Sequence, residues 1–241
     1  SMQSEILAKV FRGETLESFH RGHVFIIDGA GRAIAGIGSA ETLAFIRSSA
    51  KPFQVLPFLL SGGAEKFGFL ESEIALACAS HSAEKIHTSL AEKMLRKAGF
   101  TEKDLKCGAH APLSERRAEE MLREGENPSQ LHNSCSGKHA AMLAFAKHIG
   151  ADVSTYDLPE NPVQQAILET IANFAETPAD KIPVAIDGCA APNFALTLQA
   201  MARGFVKLVF PPENFDSELR EACRRVVTAM MNYPELIGGS E

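Results

Sequence analysis

The chain has 241 residues, of which 45% are hydrophobic and 22% charged, with a net charge of -6. That is enough apolar material for a full core. Dispersed Lys and Arg give no basic stripe for nucleic acid, and the longest apolar runs, such as Phe53 to Leu60, fall far short of the roughly 20 residues a bilayer crossing needs. Five cysteines without a close C-x-x-C pair argue against a disulfide framework. No charged-then-apolar leader follows Ser1-Met2, so the expected compartment is the cytoplasm.

In chain order, Glu5 to Val10 and His23 to Asp28 have short β-like patterns, and Asp28-Gly29-Ala30-Gly31 reads as the turn of a hairpin returning along Arg32 to Gly38. The polar residues Arg12-Gly13, Glu17-Ser18 and His20 read as a loop before it. Phe53, Leu56, Leu59 and Leu60 have helical spacing, and Pro52 is tolerated within a first turn, which starts that helix near Ser48. Ser48-x-x-Lys51 is then a hydroxyl with an amine one turn later, the arrangement in which a lysine takes a serine proton. The motif is short, and an N-cap with a solvated lysine is its commoner explanation. Glu73 to Ala79 reads as a buried strand, stopped by Ser80-His81-Ser82, with Ser82 capping a helix from Ala83 to Lys97 and Gly99 ending it.

Cys107 and His110 either ligate a metal or simply occupy a turn, and a charged helix follows from about Ser114 to Arg123. His132-Asn133-Ser134-Cys135-Ser136-Gly137-Lys138-His139 then runs into the apolar segment Ala140 to Ala146. The mouth of a helix has unpaired N–H groups and the positive dipole end, which suits a Cys135 thiolate and disfavours a charged Lys138. A loop with Ser136 or Asn133 as cap explains the same residues structurally. Gly150 ends that helix, and another runs from about Glu160 to Glu176. Lys181 to Ile186 is a short strand leading to Asp187-Gly188-Cys189, and Pro192 opens a helix through Phe194, Leu196, Leu198 and Met201. Phe205 to Phe210 reads as a strand, and Glu213 to Tyr233 as a long amphipathic helix.

Taken together, Arg47-Ser48-Ser49-Ala50-Lys51-Pro52, Ala79-Ser80-His81-Ser82, Cys107-Gly108-Ala109-His110, the motif from His132 to His139 and Asp187-Gly188-Cys189 resemble the asparaginase II family. They occur in the family's order over nearly the whole chain. The resemblance implies an α+β, serine-β-lactamase-like domain over residues 1–241, an antiparallel sheet flanked by helices, usually homodimeric. It implies hydrolysis of L-asparagine to aspartate and ammonia by Ser48, Lys51 and Ser80, with Arg47 and Asp187 near the substrate and zinc held by Cys135, Lys138 and Cys189. It also implies that the final strands, and the lysine that partners Ser80, belong to a segment beyond Glu241. A Ser-Lys amidohydrolase acting on another amide such as glutamine, and a non-catalytic zinc- or amino-acid-binding domain, are the alternatives.

Overall fold

The computed structural model describes residues 4–240. Strands β1 (Glu5–Arg12) and β2 (Thr15–Gly22) pair antiparallel around Gly13, whose φ of 60° the turn requires. The polar stretch expected as a loop is therefore a turn and a strand. Pairing with β1 decides the matter, helped by an Arg12–Glu17 ion pair of 2.6 Å across the hairpin. Strands β3 (Val24–Ile27) and β4 (Ala33–Ile37) form the expected hairpin. Asp28 holds its turn, its carboxylate accepting the N–H groups of Ala30 and Arg32 at 2.9 Å each.

Strand β5 (Leu43–Phe45) leads into a 3-10 turn at Arg47–Ala50, then α1 (Lys51–Gln54) and α2 (Leu56–Leu60). The continuous helix expected here is broken because Pro57 lacks the N–H that would bond to the Phe53 carbonyl. Next come α3 (Gly63–Phe67) and α4 (Glu71–Ala77). The latter corrects the strand expected at Glu73 to Ala79: an apolar run buried on all sides has no readable period, and Glu73 settles it by accepting the Leu70 N–H at 2.7 Å. Helix α5 (Lys85–Ala98) is capped by Glu84 rather than Ser82, the Glu84 N–H being accepted by His87 at 3.1 Å, and it ends at Gly99 as expected. Helix α6 (Glu115–Glu124) has Ser114 as its cap, and α7 (Ser136–Ile149) stops at Gly150.

After α8 (Pro162–Ala175), β6 (Val184–Ile186) and β7 (Pro192–Thr197) form an antiparallel sheet with β5, in the order β5-β7-β6. The helix expected from Pro192 thus begins only at α9 (Leu198–Val209), where Thr197 Oγ1 accepts the Ala200 N–H at 3.1 Å. The strand expected at Phe205 to Phe210 belongs instead to α9 and its end, because Ala200, Gly204 and Leu208 repeat every four residues on the buried side. Helices α10 (Ser217–Asn232) and α11 (Pro234–Gly238) follow.

This is an α+β protein, but its described strands fall into three small antiparallel sheets rather than one sheet flanked by helices. The core is helical and runs from Ile46 to Leu236, with α7 buried on every side from Ser136 to Ala146. No helix among the described residues is long and apolar enough to cross a membrane.

Candidate active site

Three segments remote in sequence meet at the start of α7. The first is the turn Arg47–Ala50 with α1, which delivers Lys51 into the interior at 1% exposure. Its ammonium donates to the Ala79 carbonyl and to Ser80 Oγ at 2.6 Å, and lies 3.5 Å from the Ser134 carbonyl. Burial lowers its pKa from the ordinary lysine range, because the charged form loses hydration there. The hydrogen bond to Lys51 is made by Ser80, whereas Ser48 lies exposed in the 3-10 turn and its hydroxyl bonds to none of the described residues.

The second segment is the exit of α4. Ser80 sits between the Lys51 amine and His81, which is fully buried. Nδ1 of His81 accepts the Ala83 N–H at 3.2 Å, and Nε2–H donates to Ser136 Oγ at 2.8 Å, whose hydroxyl donates onward to the Leu131 carbonyl at 3.0 Å. That network needs a neutral imidazole, and burial pushes the His81 pKa down to about 3. The sign follows directly: the unfolded chain takes up this proton near 6.5 and the native state only near 3, so stability falls as pH drops through that window. By about pH 4.5 His81 alone should cost about 2 to 3 kcal/mol. Denaturant midpoints at pH 7 and about 4.5 should therefore converge in His81→Gln relative to wild type.

The third segment carries the sulfurs. Asn133 Oδ1 accepts the Cys135 N–H at 2.8 Å, and Asn133 Nδ2 donates to the carbonyls of Cys107 and Gly108, tying the two loops together. His110 joins that tie as acceptor of the Ser134 N–H at 3.2 Å, and the Cys107 thiol is buried with the Gln130 carbonyl as its acceptor, its pKa raised by burial and by nearby Cys135. Lys138 Nζ donates to Cys189 Sγ at 3.1 Å, and the Cys189 thiol hydrogen bonds toward Cys135. That bond, with the Lys138 and Lys51 ammonium groups beside it, holds the Cys135 thiol below its usual range, while the same bond and burial raise that of Cys189. Asp187 closes the Cys189 turn, accepting the Ala190 N–H on its carbonyl at 2.9 Å, and its carboxylate pairs with Arg47 Nη2 at 3.0 Å. The two residues expected at the substrate thus face one another.

Among the described residues no three His, Cys, Asp or Glu side chains converge as a metal cluster. Cys135, Cys189 and the Lys138 amine do converge, and two thiolate sulfurs are donors that suit zinc, with the lysine nitrogen able to join them in its neutral form. Backbone strain gathers at the same place. Arg47, Ala83 and Ala190 have φ of 52°, 63° and 70°, unusual for residues with a Cβ, and each lies within three residues of Ser48, Ser80 or Cys189. Sequence reasoning did not select Asn193, whose side chain reaches Arg47 from 146 positions away, and no local signal announces such a contact.

The site thus holds a serine hydroxyl bonded to a buried lysine amine, and an arginine paired with a carboxylate. The family described as L-asparaginase II matches residues 8–241, and the chain belongs to that family. Membership points to an amidohydrolase acting on a small amide. No curated protein matches the chain.

Proposed function

We propose that the protein hydrolyses the side-chain amide of L-asparagine to aspartate and ammonia by serine-lysine catalysis. The observation that carries this reading is the 2.6 Å bond between Ser80 Oγ and the buried Lys51 amine, three residues from the exposed Ser48. In this mechanism Ser48 Oγ bonds to the amide carbon while its proton passes to neutral Lys51. The C–N bond then breaks as Ser80 relays that proton to the departing ammonia, and water cleaves the acyl-enzyme ester. Arg47 pairs with the substrate carboxylate and Asp187 with its ammonium, each exchanging its present partner for the ligand.

The Ser80–Lys51 bond also favours a second reading, in which Ser80 is the nucleophile and Ser48 assists. Either way the expected result is ammonia release from L-asparagine well above that from L-glutamine, measured by coupled assay at matched concentrations. Equal rates would replace asparagine by a broader amide class, and no release from either amide would sink the reading.

Zinc belongs to the same proposal, held by Cys135, Lys138 and Cys189, where it would supply a fixed positive charge beside the substrate. Purified protein should retain zinc in near-stoichiometric amount by elemental analysis, and Cys189→Ser should lose most of it, since metal affinity commonly falls by about 10- to 100-fold even when outer partners are removed. The homodimer rests on the resemblance and the cytoplasmic location on a cysteine pattern that suits a reducing compartment, and both are proposed with it.

A further inference from the structure

Strand β5 runs antiparallel to β7 with Phe45 opposite Ala195, and the ladder continues one step further where the Ile46 N–H bonds to the Phe194 carbonyl at 2.9 Å. At Arg47 the chain leaves the sheet. Its N–H is taken by a side chain, Asn193 Oδ1 at 3.0 Å, which also accepts the Phe194 N–H at 2.9 Å. Asn193 is 6% exposed, so the acceptor side of this bond is held in the interior while Arg47 itself lies at the surface. The residue it grips adopts a φ of 52°, a conformation that persists only where the surroundings over-determine it. The next residue is Ser48.

We propose that Asn193 is a positioning residue for Ser48. Its amide oxygen ends the β5 ladder at a fixed residue, holds Arg47 left-handed and thereby sets where Ser48 enters the 3-10 turn. The same grip fixes the origin of the Arg47 side chain, whose guanidinium reaches Asp187 on the turn before β7. One buried amide thus registers the Ser48 turn against the Asp187-Cys189 turn. This inference rests on the serine-hydrolase reading of Ser48.

The test compares Asn193→Leu, which keeps the size but removes the acceptor, with Asn193→Asp, which keeps an oxygen at the same atom. The Leu variant should raise KM, because Arg47 moves with Ser48, and should lose about tenfold or more in kcat, since a displacement near 1 Å can cost on the order of 100-fold. The Asp variant should recover most of that loss. A crystal structure of the Leu variant should show Arg47 at negative φ and Ser48 displaced. If that variant does not fold, Asn193→Ser, too short to reach Arg47, takes its place. Unchanged kcat, an equal loss in both variants, or Arg47 still left-handed with Ser48 in place would each overturn the proposal. Should wild type release no ammonia, the amidohydrolase reading fails, and the crystallographic comparison still decides the role of Asn193.

Discussion

Lys51→Met should lower ammonia release from L-asparagine by about 10³-fold or more, since a positioned general base contributes roughly 10²- to 10⁴-fold and here the same amine also anchors Ser80. The protein should still fold: methionine fills the space of the lysine stem and removes a buried amine, at the cost of leaving the Ala79 carbonyl without its donor. Ser48→Ala and Ser80→Ala then separate the two assignments of nucleophile. With Ser48 as nucleophile, Ser48→Ala abolishes turnover and no acyl-enzyme forms, while Ser80→Ala slows release of ammonia and retains the capacity to acylate at Ser48. With Ser80 as nucleophile the pattern reverses. Intact-protein mass spectrometry after rapid acid quench reads the difference directly. An Lys51→Met enzyme with wild-type turnover would remove lysine from the mechanism altogether.

How much of this was legible in the sequence depends on the reach of each interaction. Glycine stops were readable because they act over three or four residues: Gly99 and Gly150 each end a helix in the structure, and the charged helix begins at Ser114 as expected, whereas the cap expected at Ser82 passed to Glu84. The strand expected at Glu73 to Ala79 failed because burial on all faces erases the period that separates strand from helix, leaving one buried carboxylate, Glu73, as the deciding residue. Pro192 to Thr197 failed for the opposite reason, since its strand exists only through pairing with β5 and β6, and β5 lies some 150 positions earlier in the chain. At the site, the clustered motifs named Ser48, Lys51, Ser80, Cys135, Lys138 and Cys189, but spacing paired Lys51 with Ser48, its neighbour on the helix. The folded chain gives the amine to Ser80, because the exit of α4 passes over Lys51 while the 3-10 turn faces Ser48 outward.

Gly137 shows how one motif residue governs both stability and chemistry, and Gly137→Ala is the second substitution with a large expected effect. A Cβ at this position would lie 2.6 Å from the Leu76 carbonyl oxygen and 2.8 Å from Leu76 Cγ, so α7 approaches α4 more closely than any side chain permits. Alanine favours a helix over glycine by about 1 kcal/mol, which opposes the clash. Overpacking typically costs about 1 to 3 kcal/mol and more where backbone must move. Backbone is what must move here, so a net destabilisation of about 2 kcal/mol or more is expected, read as a lower denaturant midpoint with unchanged slope. Gly238→Ala, at the end of α11 where nothing lies within 4 Å of the added carbon, is the control and should show no loss, only a helix-propensity gain of up to about 1 kcal/mol. The displacement has a direction. Leu76 lies three residues before Ala79 and four before Ser80, so pushing α4 away from α7 draws these two partners of Lys51 off the amine. Gly137→Ala should therefore lose activity at temperatures where it remains fully folded, and a variant that is destabilised yet fully active would show that the α4–α7 contact and the Ser80–Lys51 bond are independent.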